Sequence, residues 1–99
     1  MSKVYCIVNI LQVHDPQRFA QYVAGHAETI SQYGGRFLVK GDAGDVLEGE
    51  LASNKMVVHE FPSAAQFYAW YDSPEYRPWK ALRQACAEVT VILSRGCAD

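Results

Sequence analysis

The segment VYCIVNIL, residues 4–11, is apolar at nearly every position. In an extended strand alternate side chains leave on opposite faces. Val4, Cys6, Val8 and Ile10 therefore form one row and Tyr5, Ile7 and Leu11 the other, with Asn9 the only interruption. EVTVILSRG, residues 88–96, repeats the arrangement, with Val89, Val91 and Leu93 on one side and Ile92 on the other. A sheet with one solvated face alternates between apolar and polar residues. These two strands do not, so both faces of the sheet they build need cover.

The rest of the chain supplies cover for one face. In HDPQRFAQYVAGHAETISQYGG, Asp15 can cap a helix and Pro16 suits its first position, where a missing N–H costs nothing. Phe19, Tyr22, Val23, His26, Ile30 and Tyr33 follow at three- and four-residue spacing and mark one buried face. Gly34-Gly35 ends the helix. RFLVKG is a second strand, with a short extended piece expected around Val46 and Leu47, and KMVVHEF is a third. Ser63 caps another helix carrying Phe67, Trp70 and Tyr71, and Ser73-Pro74 restarts it toward Ala81, Leu82, Ala85 and Cys86. Pro78 would lie inside that last helix and distort its first turn.

The order is β-α-β-β-α-β, which predicts an α+β, ferredoxin-like domain: an antiparallel four-stranded sheet with helices on one face. Ninety-nine residues make one domain, 1–99, with no room for a second core. The simplest cover for the other face is a second copy, so the chain is expected to form a homodimer packed sheet to sheet.

YGGRFLVKG, VLEG, EFPS and WYDSPEY followed by LRQACAE resemble, in order and spacing, the bacterial family called domain of unknown function 1330. The resemblance runs over nearly the whole chain and implies a dimeric α+β barrel. That superfamily holds cofactor-free monooxygenases, isomerases, haem peroxidase relatives and ligand-binding domains, so it leaves function open.

Several function classes are disfavoured. A net charge of −2 argues against nucleic acid and anionic membranes as partners. His14, His26 and His59 lack ligand spacing, GDAGD lacks the calcium-loop series, and no phosphate loop or G-x-S-x-G nucleophile occurs. No metal or cofactor is expected. Cys6, Cys86 and Cys97 form no C-x-x-C pair, which suits a reducing cytoplasm, and the first strand is too short to span a bilayer.

The remaining candidates converge on a small-molecule pocket between helices and sheet. His26, on the apolar stripe, reads as a general base or as a buried neutral histidine. Tyr33 and Arg36 are the expected catalytic companions, hydrogen-bonding an enolate and orienting an acidic group. Tyr71, Ser73, Tyr76 and Arg83 are the expected ligand contacts, with helix capping for Ser73 and surface solvation for Arg83 as alternatives. Trp70 and Trp79 read as packing residues. His59 and Glu60 must face opposite sides of the third strand, and a Glu60 near His26 would make an acid/base pair. Two functions fit: a cofactor-independent isomerase or monooxygenase, and a non-catalytic ligand-binding or stress-related dimer.

Overall fold

The computed structural model describes residues 2–97. The elements in chain order are β1 (Val4–Val13), α1 (Pro16–Gln32), β2 (Arg36–Ala43), β3 (Lys55–Phe61), α2 (Ala64–Tyr71), α3 (Arg77–Cys86) and β4 (Ala87–Arg95). The strands form one sheet in the order β2-β3-β1-β4, and every neighbouring pair is antiparallel. This is the ferredoxin-like arrangement, with the second helix divided in two.

Local chemistry sets the helix ends. Asp15 accepts a hydrogen bond from the Arg18 N–H at 3.2 Å, and Pro16 occupies the first turn of α1. Gly34 takes the left-handed conformation, φ +80°, that ends the helix, and Gly35 N–H returns to the Ile30 carbonyl. Ser63 accepts from the Gln66 N–H at 3.2 Å and starts α2.

Two expectations change. Residues 44–54 carry no strand; the segment is a loop closed by reciprocal bonds between Gly44 and Asn54, and Leu47 lies on its surface. The last helix begins at Arg77, not at Pro74. Ser73 caps a separate turn, its hydroxyl accepting from the Tyr76 N–H at 3.1 Å. Pro78 thus falls in the first turn of α3, where it removes no ladder bond, so the expected distortion is avoided by moving the helix start.

The core lies between the helices and one face of the sheet. Val4 and Cys6 of β1 and His59 and Phe61 of β3 pack there against Tyr22, Ile30, Phe67, Trp70 and Tyr76. The two tryptophans are packing residues, as their size suggested. Trp70 is stacked on Tyr76 and donates its indole N–H to Thr29 Oγ1 at 3.0 Å. Trp79 lies over Gly25, where α1 and α3 meet.

The opposite face carries an apolar row across all four strands. Val39 pairs with Val58, Val58 with Ile7 and Ile7 with Ile92. Val39 is 40% exposed and Ile92 58%. Within one chain this face has no cover, as the two-sided apolar pattern of the strands requires.

Candidate functional site

The helix-facing side of the sheet and the inner faces of α1 and α3 leave between them a cavity of about 670 Å³. Its walls are mostly apolar and aromatic: Val8, Ile10, Val57 and Val91 from the strands, and Phe19, Tyr22, Phe37, Trp70, Tyr71 and Tyr76 around them. That size and lining are typical of a small-molecule site.

His26 reaches this space from α1. Its ring stacks on Tyr22 with centroids 4.0 Å apart, and Nδ1 lies 2.7 Å from the Tyr22 carbonyl oxygen. A carbonyl only accepts, so Nδ1 carries the proton and Nε2 is left as a base. Burial lowers the His26 pKa; the bond to the Tyr22 carbonyl opposes this and nearby Arg83 reinforces it. The imidazole is therefore neutral at physiological pH.

Tyr22 and Tyr76 bring their hydroxyls to 2.7 Å from one another. Burial raises both pKa values. The bond between them raises Tyr22 further and lowers Tyr76, while the Arg83 charge lowers both, so the bond makes Tyr76 the more acidic of the pair. Its hydroxyl is the better donor to a developing oxyanion.

Arg83 completes this end of the cavity. Its residue is only 6% exposed, and among the described residues it makes no ion pair with a carboxylate. Burial works against its charge, but the Tyr76 and Tyr22 hydroxyls outweigh this and hold its pKa above the ordinary arginine value. Arg83 also borders a smaller cleft of about 420 Å³ together with Glu88, whose carboxylate lies 3.4 Å from His14. The hydroxyls that hold this guanidinium are uncharged at neutral pH, so a ligand's acidic group is the counter-ion it lacks.

His59 faces the helices and Glu60 the opposite side, which settles the parity left open above. His59 lies within a cage of rings, 4.8 Å from Phe37, 5.7 Å from Trp70 and 6.4 Å from His26 between centroids. Neither of its nitrogens has a hydrogen-bond partner. Burial, reinforced by His26, pushes its pKa down to about 3. Cys6, also in the wall, has its thiol pushed up to about 12 by burial and is inert as a nucleophile.

Of the expected site residues, His26, Tyr71, Tyr76 and Arg83 line the cavity, and Tyr33, Arg36 and Ser73 do not. Arg36 projects from the outer face, where its Nε donates to Glu60 at 2.6 Å, with Lys3 and Tyr5 on the same carboxylate. Glu60 is thus no partner for His26. The Tyr33 hydroxyl donates to the Glu75 carboxylate at 2.6 Å, outside the cavity. Ser73 spends its hydroxyl on the turn before α3. Tyr22 and His59 are the unforeseen members. The four-residue step from Tyr22 to His26 on one helical stripe was the signal for the first.

The family model described as a domain of unknown function, DUF1330, matches residues 3–97. The chain belongs to this family. Among solved structures it is similar to the methylated RPA0582 protein of Rhodopseudomonas palustris, at 18% identity and a TM-score of 0.80, covering 98% of this chain and 82% of that one. It is also similar to SnoaB, a cofactor-independent oxygenase from Streptomyces nogalater, at 14% identity, TM-score 0.66 and coverage of 100% and 97%. A dimeric ferredoxin-like protein of unknown function from Jannaschia sp. CCS1 matches at 12% identity and TM-score 0.70, covering 92% and 96%. At these identities the likeness is one of fold. Among curated proteins, none matches the chain by sequence. Among the described residues no cluster of three His, Cys, Asp or Glu side chains could hold a metal ion, and no helix is long and apolar enough to cross a membrane.

Proposed function

We propose that this protein is a cofactor-independent enzyme that binds a small, largely apolar organic acid in the cavity and removes a proton from it. The observation that carries this reading is Arg83: a buried cation without a carboxylate, held by two tyrosine hydroxyls and close enough for its charge to act on the His26 ring in the same cavity wall. Arg83 holds the acidic group, His26 Nε2 takes a proton from the adjacent carbon, and the Tyr76 hydroxyl donates to the enolate oxygen that forms. The imidazolium so created would repel Arg83 in an empty cavity. An enolate between them reverses the sign, so the low pKa of His26 rises only once the anion is present. Reprotonation at another carbon gives an isomerase. Attack of the carbanion on molecular oxygen, which forms a C–O bond and reduces O₂ to the peroxide level, is the other outcome; SnoaB is named a cofactor-independent oxygenase.

The protein works as a homodimer in this account. The apolar row from Val39 to Ile92 is the surface to bury, and two of the similar structures are described as dimeric ferredoxin-like proteins. The three free cysteines fit a reducing compartment such as the cytoplasm.

The test is deuterium incorporation, read by proton NMR, into a panel of aryl-substituted enolisable carboxylic acids incubated with protein in D₂O. Wild type should exchange the acidic carbon position of at least one bound acid, and His26→Ala should lose exchange while still binding it. Binding without exchange in wild type would replace this reading with the ligand-binding one.

A further inference from the structure

Three cationic side chains line the cavity, Arg83, Lys40 and Lys55, and no aspartate or glutamate does. The chain as a whole carries nine Lys and Arg against eleven Asp and Glu, so this segregation runs against its composition. Among the described residues, neither lysine makes an ion pair.

The cations stand at two ends. Arg83 lies on α3 and shares its part of the wall with Val89 and Val91 of β4. Lys40 and Lys55 lie on β2 and β3, at the other side of the sheet. β4 and β2 are three strand spacings apart, about 14 Å. The wall between is apolar, with Val8, Ile10 and Val57 along it.

A bulge in β2 places Lys40, and alternation along β3 from His59 and Val57 places Lys55. Phe37 pairs with His59 and Val39 with Val58, so the register shifts between them and Lys40 joins Phe37 and Val57 on the inner face. The Lys40 ammonium lies over the Phe37 ring, 5.4 Å from its centroid. Gly41, at φ +98°, faces Ile10 and Val57 where a side chain would narrow the opening.

We propose that Lys40 and Lys55 form an outer anion subsite, so that the ligand is an elongated apolar diacid. One anionic group would sit at Arg83 and a second at the lysine pair, with the hydrocarbon or aromatic part against the wall between. This rests on the reading of Arg83 given above and adds a substrate class to it. A monoacid fills the inner end and leaves both lysines to water; a diacid of matching length engages both ends.

The probes are biphenyl-4-carboxylate and biphenyl-4,4′-dicarboxylate, titrated calorimetrically at low salt into wild type and into a Lys40→Gln/Lys55→Gln double variant. Wild type should bind the diacid roughly tenfold more tightly than the monoacid. The double variant should lose that preference and bind the monoacid as wild type does, and added salt should erode the preference in the same way. Equal affinity for the two acids in wild type, or a preference that survives the double substitution, overturns the outer subsite and leaves the Arg83 site standing. Failure of both acids to bind wild type overturns the Arg83 reading and the subsite with it.

Discussion

The Nδ1–H of His26 donates to the carbonyl oxygen of Tyr22, one helical turn earlier, at 2.7 Å. That bond fixes the tautomer, holds the imidazole flat on the Tyr22 ring and leaves Nε2 as the basic atom. The same tyrosine meets Tyr76 through its hydroxyl. One residue thus orients the base and the oxyanion donor together. Tyr22→Phe should keep the ring stack and the His26 tautomer but free Tyr76 from its partner. Turnover should fall about tenfold with little change in binding, as kcat and KM measured separately would show.

Acid should destabilise the protein through its buried histidines. His59 is lowered from an ordinary 6.5 to about 3, so between those values the unfolded chain binds a proton that the folded chain refuses. Stability from this group is complete above pH 6.5 and is lost as pH falls toward 3, at about 1.4 kcal/mol per pH unit, or about 2 kcal/mol by pH 5. His26 is shifted in the same direction and adds to the loss. Urea unfolding at pH 7.5 and pH 5 should show the difference, and His59→Phe should abolish most of it. That variant also removes two unpaired nitrogens, so it should be about 1–3 kcal/mol more stable at pH 7.5.

Much of the fold was legible because it follows from periodicity. The doubled apolar rows of β1 and β4, the Asp15-Pro16 start and the Gly34 stop each express a local rule, and the structure obeys them. The site was legible where it lay on a helix or on the turn that leads into one. His26 and Tyr76 sit in the cavity wall, but Arg36 follows a Gly-Gly turn into a strand, where the face a residue takes depends on tertiary pairing. Glu60 meets it on the outer face for the same reason. Lys40 owes its inward position to a bulge that carries no clear mark in RFLVKG. Arg83 was named as a ligand contact, but the general preference of arginine for water left its burial open.

The meeting of α1 and α3 depends on a missing side chain. A Cβ on Gly25 would sit 2.1 Å from the Trp79 ring. Alanine favours a helix interior by up to about 1 kcal/mol, but displacing a packed indole costs about 1–3 kcal/mol. Gly25→Ala should therefore lower stability on balance, by about 1 kcal/mol in denaturant unfolding, with a change in Trp fluorescence.

The outer face should hold two copies together. Ile92 ends the apolar row and is 58% exposed in one chain. Sedimentation should find wild type as a dimer at micromolar concentration. Ile92→Glu should shift it to single chains that are less stable, because like charges would meet across an apolar seam.

In the proposed mechanism Arg83 is buried to receive a ligand's negative charge. This role is tested most directly by calorimetric titration of biphenyl-4-carboxylate into wild type and Arg83→Met, with the thermal midpoint of each measured alongside. The Arg83→Met protein should stay folded, with a thermal midpoint no higher than that of wild type, since the guanidinium it loses is held by the Tyr76 and Tyr22 hydroxyls. Its affinity for the acid should fall by about 10- to 100-fold, the worth of a charge-assisted hydrogen bond. Unchanged affinity in a folded Arg83→Met protein would contradict this role.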